Sequence, residues 1–135
     1  YNMADYFGHW LKVGSAAKPE NLPQIFFVNW FRRDTDGRFL WPGYGENSRV
    51  LKWVFERLDG TAGAVETPIG NLPVVSDLDT SGLKVDAADM NTLLSVDTAG
   101  WLEAVPQIRE HYATFGTKLP KQLSAALDSL EKALA

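Results

Sequence analysis

The sequence predicts a mixed α/β fold: a helix, a buried strand with a hairpin, a second helix, another strand and a helical tail. Three observations support this. Apolar residues recur at helical spacing near the start and again from about residue 85 to 134. Between these helical stretches, residues 24–31 form an almost continuous apolar run, which is typical of a strand buried on both faces. Turn residues then separate that run from a second short apolar run at 39–41.

The first half of the chain is predicted as helix, strand, hairpin and helix. Residues 3–11 carry an amphipathic helical pattern, which Gly14 is expected to end. Asp34, Asp36 and Gly37 form the turn between the two apolar runs. A second helix follows, is expected to end at Gly60, and has five apolar residues on one face: Val50, Leu51, Val54, Phe55 and Leu58.

The second half is predicted to be mainly helical. Pro68 to Val75 has the pattern of a further strand. Asp86 with Asp89 resembles a capping box that opens a short helix. The next apolar period runs across Pro106, which should kink or restart that helix. The last helix is predicted to begin at Pro120, with four leucines on one stripe: Leu123, Leu127, Leu130 and Leu134.

Composition limits the classes of function. A chain of 135 residues is expected to form one domain. Its net charge of −4 argues against a nucleic-acid partner. There is no cysteine for a disulfide or a thiolate zinc site, and no apolar run long enough to cross a bilayer, so we expect no membrane partner. Tyr1 to Leu11 has the pattern of a chain already inside a fold, which predicts a fragment.

Motifs for common catalytic and metal sites do not fit this sequence. Two acidic stretches, 34–36 and 77–82, fail as calcium loops because Gly43 and Ala88 fall where a bidentate glutamate is required. His9 and His111 lie in separate helical patterns without ligand spacing around them. No nucleophile elbow, P-loop or metalloprotease helix is present. We therefore expect no catalytic group in this chain.

Aromatic residues cluster around a turn and a glycine loop between residues 30 and 47, namely Trp30, Phe31, Phe39, Trp41 and Tyr44. Residue types alone favour a packed core corner here. Gly43 and Gly45 flank Tyr44 and allow an unusual backbone path, and the amide of Asn47 can both donate and accept hydrogen bonds. Such a cluster also suits a planar ligand, of which a purine is the obvious example. The residue types thus allow both a core corner and a base-binding site.

Residues 25–60 read IFFVNWFRRDTDGRFLWPGYGENSRVLKWVFERLDG and closely resemble the guanine-binding stretch of GTP-dependent phosphoenolpyruvate carboxykinases. The resemblance continues into YNMADYFGHWL before this stretch and TPIGNLP after it. From about Ser81 onward only the pattern is similar. The resemblance implies that residues 1–135 are the C-terminal part of a larger GTP-binding domain, with the guanine pocket at 30–47 and the helical tail at about 85–134.

The resemblance also implies roles for individual residues. Phe31 and Tyr44 would stack on the two faces of guanine. Trp30 and Phe39 would line the pocket. The segment Tyr44, Gly45, Glu46 and Asn47 would face the edge of the base, with Asn47 helping to select guanine. The family usually has phenylalanine where this chain has Tyr44, and we expect this change to be tolerated.

The reaction implied is the conversion of oxaloacetate and GTP to phosphoenolpyruvate, carbon dioxide and GDP, a lyase reaction of gluconeogenesis. Manganese and magnesium are implied for the intact cytoplasmic enzyme, with their ligands outside this chain. The partners would be small-molecule substrates and the rest of the same enzyme chain, and the fragment alone would be inactive. Two alternatives remain, a stand-alone purine-nucleotide-binding module and a structural interaction module without catalysis.

Overall fold

The computed structural model describes residues 1–135 and contains five α-helices and one two-stranded antiparallel sheet. In chain order the elements are α1 (Met3–Ala16), α2 (Asn47–Leu58), β1 (Val65–Thr67), β2 (Gly70–Leu72), α3 (Ala87–Leu94), α4 (Thr98–Ala113) and α5 (Lys121–Leu134). The predicted mixed α/β class is confirmed. None of the helices combines the length and the apolar character needed to cross a membrane.

The chain divides into two compact units. The helical unit comprises Tyr1–Pro23 and Asp97–Ala135, and the central unit comprises Gln24–Val96. The helical unit thus contains α1, α4 and α5, while the central unit contains the remaining elements together with the whole aromatic motif.

In the helical unit, α4 packs against α5. Val105 of α4 is almost completely buried, as are Leu127 and Leu134 of α5, two members of the predicted leucine stripe. Arg109 of α4 donates hydrogen bonds to Asp128 and Glu131 of α5. Helix α4 continues across Pro106, so the predicted restart does not occur. Helix α1 likewise continues past Gly14 to Ala16, because an isolated glycine weakens a helix without necessarily ending it.

The core of the central unit is built around two tryptophans. Trp41 and Trp53 are 4% and 5% exposed and share a cluster with three smaller residues: Ala62, Leu78 and Met90. Phe26 packs on this cluster with its ring edge-on to Trp53, at 6.2 Å between ring centroids. The cluster joins the aromatic motif to α2 and α3, so packing around Trp41 positions the motif.

The run 24–31 differs from its prediction, because residues 24–29 form no strand. Phe26 is half-buried, while Ile25 and Phe27 are 92% and 94% exposed. Side chains of an extended segment point alternately to opposite sides, so one side packs on the core and the other lies open. A strand buried on both faces needs neighbouring strands, and the central unit provides none for these residues. The predicted hairpin is reduced to one antiparallel bridge, between Arg33 and Phe39.

The remaining elements of the central unit agree more closely with their predictions. Asp86 accepts a hydrogen bond from the backbone N–H of Asp89 at 2.7 Å, which confirms the predicted cap of α3. Gly60 lies just beyond α2 with a φ of 72°. The strand predicted at 68–75 is shorter, since β2 covers only Gly70–Leu72 and pairs with β1 through a tight turn.

Candidate base-binding site

The aromatic residues of the motif separate into a buried group and an exposed group. Trp41 belongs to the core, and Trp30 is half-buried against the same cluster. By contrast, Phe31, Phe39 and Tyr44 are 76%, 45% and 95% exposed. The resemblance assigns all three exposed rings to the base pocket, together with the half-buried Trp30. Trp30, which the resemblance assigns to the lining of the pocket, is half-buried and packs against the core cluster.

Phe31 and Phe39 lie on the two arms of the turn at residues 34–37. Their ring centroids are 6.4 Å apart and the ring planes meet at 65°. The Arg33 guanidinium lies over the Phe39 ring at 4.1 Å from its centroid, within the range of a cation–π contact. Arg33 therefore covers one face of the Phe39 ring, and the rings of Phe31 and Phe39 meet edge-on.

A carboxylate organises the turn between these arms. Asp34 Oδ1 accepts hydrogen bonds from the backbone N–H groups of Asp36 and Arg38 at 3.0 and 2.9 Å. Asp34 Oδ2 accepts from Nε of Arg38 at 2.9 Å. The side chain that was tested as a calcium ligand thus serves as a turn-forming acceptor, a common role for aspartate.

Two arginines attach the arms of the turn to opposite ends of α3. Arg38 donates to both carboxylate oxygens of Asp89 at 2.9 and 2.8 Å. Arg32 donates to the backbone carbonyl oxygens of Leu93 and Ser95, at the other end of the helix. The Arg38 guanidinium holds the pKa of Asp89 below its usual range, and Asp89 raises that of Arg38. Bidentate pairing of this kind fixes direction as well as distance.

The glycine loop presents Tyr44 to solvent. Gly43 has φ 103° and ψ −161°, a backbone conformation open almost only to glycine. Residues Tyr44–Glu46 then form a single 3₁₀ turn. Glu46, which was predicted to face the base edge, accepts a hydrogen bond from Nε of Arg49 at 2.7 Å. Arg49 also donates to the backbone carbonyl of Asp79 at 2.8 Å, so the loop is tied to the acidic segment.

Asn47 is the first residue of α2 and is oriented by the core. Its Oδ1 accepts a hydrogen bond from Nε1 of Trp41 at 3.0 Å. Its Nδ2 makes no hydrogen bond within the chain. The contact between Asn47 and a buried indole was not predicted from the sequence. The only sequence signal that could have suggested this contact is the short spacing, since the two residues lie six positions apart.

The structure offers no ligand set for a metal ion. No three histidine or acidic side chains come together in an arrangement that could hold one. Asp77 accepts from the backbone N–H of Gly63 at 2.7 Å, and Asp79 accepts from the hydroxyl of Ser81 at 2.6 Å, which lowers the pKa of Asp79. These residues do not form a site for the manganese and magnesium that the resemblance implies.

Comparison with known proteins identifies the family. Residues 1–133 match the family described as the phosphoenolpyruvate carboxykinase C-terminal P-loop domain. The chain is 58% identical over 132 residues to a protein of Treponema pallidum (strain Nichols) named phosphoenolpyruvate carboxykinase [GTP], covering 97% of the chain and 21% of that relative. A protein of the same name from Neocallimastix frontalis is 56% identical over 135 residues, with 99% and 22% covered.

A third relative of that name, from Paenarthrobacter aurescens (strain TC1), is 47% identical over 134 residues, with 99% of the chain and 22% of the relative covered. The chain thus spans about a fifth of the length of the curated relatives it matches. The family model covers both structural units, including the aromatic motif and the helical tail whose similarity was visible only as a pattern. The predicted resemblance is confirmed, and the chain belongs to the phosphoenolpyruvate carboxykinase family.

Proposed function

We propose that this chain forms the guanine-binding part of a GTP-dependent phosphoenolpyruvate carboxykinase. In this proposal Phe31 and Tyr44 stack on the base, Phe39 and Trp30 border it, and the segment from Gly45 to Asn47 faces its edge. The longer enzyme proposed to contain the chain, called the intact carboxykinase below, is cytoplasmic and converts oxaloacetate and GTP to phosphoenolpyruvate, carbon dioxide and GDP.

One observation carries this proposal: the exposure of the rings that the resemblance assigns to the base. A packed core corner would bury Phe31 and Tyr44, yet they are 76% and 95% exposed, whereas Trp41 between them in sequence is 4% exposed. Open ring faces are available for stacking, which is worth about 1–3 kcal/mol per base. The family match and the three relatives named for GTP support a purine nucleotide as the ligand.

The chain's contribution in this proposal is positioning. Holding the base fixes one end of the nucleotide, which helps to place its γ-phosphoryl group in line with the acceptor enolate. The phosphates need positively charged groups and backbone N–H donors. We propose that these groups, and the ligands for manganese and magnesium, belong to other parts of the intact carboxykinase. The small-molecule substrates would contact those parts.

The proposal is tested by Phe31→Ala in the intact carboxykinase. Loss of a stacking face weakens GTP binding in ground and transition states alike, so KM for GTP should rise while kcat stays nearly constant. The matched control is Phe55→Ala on α2. It removes a phenylalanine ring of similar exposure, 65%, that lies outside the motif. Steady-state kinetics with varied GTP and saturating oxaloacetate provide the measurement.

Three results are informative. A higher KM for GTP in Phe31→Ala but not in Phe55→Ala supports the pocket. Equal kinetics in both variants and the parent enzyme contradict it and favour a structural interaction module. Submicromolar GTP binding by the 135-residue chain alone, measured by calorimetric titration, would favour a stand-alone nucleotide module instead.

A further inference from the structure

The hydrogen bond between Trp41 and Asn47 fixes the direction of the asparagine amide. An indole N–H can only donate, so the amide atom facing it must be the acceptor Oδ1. Trp41 is 4% exposed and packed among Trp53, Leu78 and Met90, which leaves its N–H little freedom to turn elsewhere. The bond measures 3.0 Å. Asn47 therefore keeps its NH₂ group directed away from the indole, as a donor without a partner in the chain.

We propose that Trp41 is a positioning residue for base selection: it holds Asn47 so that the side chain offers a donor, not an acceptor, to the edge of the purine. The proposal rests on the guanine pocket proposed above. Guanine presents an acceptor, O6, where adenine presents the donor N6–H₂. A fixed amide donor matches O6 and opposes N6–H₂. A freely rotating asparagine would serve both bases, since its amide can present either atom.

Trp53 provides a matched control for packing. It belongs to the same core cluster at 5% exposure, but its Nε1 makes no hydrogen bond. Trp41→Phe and Trp53→Phe therefore both reduce a buried indole to a phenyl ring. Only Trp41→Phe also removes the donor that orients Asn47.

The experiment measures inhibition of the intact carboxykinase by GDP, IDP and ADP, with GTP as the varied substrate. We expect the ratio of the ADP to the GDP inhibition constant to fall about twofold to tenfold in Trp41→Phe relative to Trp53→Phe, the range that one net hydrogen bond is worth. The ratio of the IDP to the GDP constant should be the same in both variants, since hypoxanthine keeps the O6 acceptor. If Trp41 had a purely structural role, Trp41→Phe would weaken the binding of GDP, IDP and ADP by the same factor.

Asn47→Asp gives a second test that leaves the core untouched. The aspartate can still accept from Trp41, but its outward atom is now an acceptor, so ADP binding should strengthen and GDP binding should weaken. If ADP binding does not strengthen, or if Trp41→Phe and Trp53→Phe give the same ratio, the positioning role is wrong. Phe31→Ala distinguishes a failure of the positioning role from a failure of the pocket. If the KM for GTP rises in Phe31→Ala, the pocket stands and only the positioning role fails. If that KM does not rise, the proposed function fails as well.

Discussion

Replacing Tyr44 by alanine should weaken nucleotide binding without unfolding the protein. The ring is 95% exposed and makes no side-chain hydrogen bond, so its removal should change the free energy of unfolding by no more than about 0.5 kcal/mol. If the ring stacks on the base, the loss of that contact costs about 1–3 kcal/mol. At about 1.4 kcal/mol per factor of ten, this raises the KM for GTP about 5- to 150-fold.

Two comparisons make this prediction specific. Tyr44→Phe keeps the stacking face and should leave the KM for GTP within about twofold of the parent, because only the hydroxyl is lost. Trp53→Ala removes a ring that is 5% exposed and should instead cost about 3–5 kcal/mol of folding stability.

The assays are steady-state kinetics of the intact carboxykinase with varied GTP, and urea unfolding of the same variants. An unchanged KM for GTP in Tyr44→Ala would refute the stacking role. A large loss of stability in that variant would show that Tyr44 packs in a core, contrary to its exposure here.

Three further predictions concern the support of the motif and the chain as a whole. Asp89→Asn should lower the unfolding temperature more than Asp36→Asn, whose carboxylate has no ion pair. Because Arg38 lowers the pKa of Asp89, this stabilisation should be fully present above the ordinary pKa of an aspartate, and thermal melts should show its loss as the pH falls from there through the lower folded-state pKa. Gly43→Ala should cost about 1–3 kcal/mol in urea unfolding and Gly45→Ala much less, since both have open space for a Cβ but only Gly43 has a positive φ. The 135-residue chain alone should make no phosphoenolpyruvate and bind GTP more weakly than the intact carboxykinase in calorimetric titration, because stacking must offset a loss of freedom of roughly 4 kcal/mol or more.

Local signals in the sequence predicted much of the fold. The N-terminal cap of α3, the glycine after α2 and the leucine stripe of α5 each depend on a few neighbouring residues, and the structure confirms them. Local signals did not predict the structure of the run of residues 24–31. Its apolar residues indicate burial on both sides, but burial needs a second surface, and the central unit supplies one only for the side that carries Phe26.

The division of the aromatic motif was also beyond the sequence. In an extended arm, Phe39 and Trp41 would point to the same side, yet Phe39 is 45% exposed while Leu40 and Trp41 are both buried. The chain bends at residues 40 and 41, so the alternation of an extended strand is lost there. The ion pair between Arg38 and Asp89 could not be predicted from the sequence either, because it joins residues 51 positions apart and depends on the fold itself.

An exposed ring gains little orientation from core packing, so other contacts must fix the surface on which a base could stack. Here polar contacts supply that support: Asp34 holds the turn, Arg38 ties one arm to α3, and Trp41 aligns Asn47. Two of these contacts have a buried member, Asp89 for Arg38 and Trp41 for Asn47, and Phe31 and Tyr44 remain exposed beside all three. Variants of these supports should therefore weaken base selection through geometry, whereas variants of the rings should weaken binding through lost contact area. The ratio of ADP to GDP inhibition constants reports the first effect, and the KM for GTP reports the second.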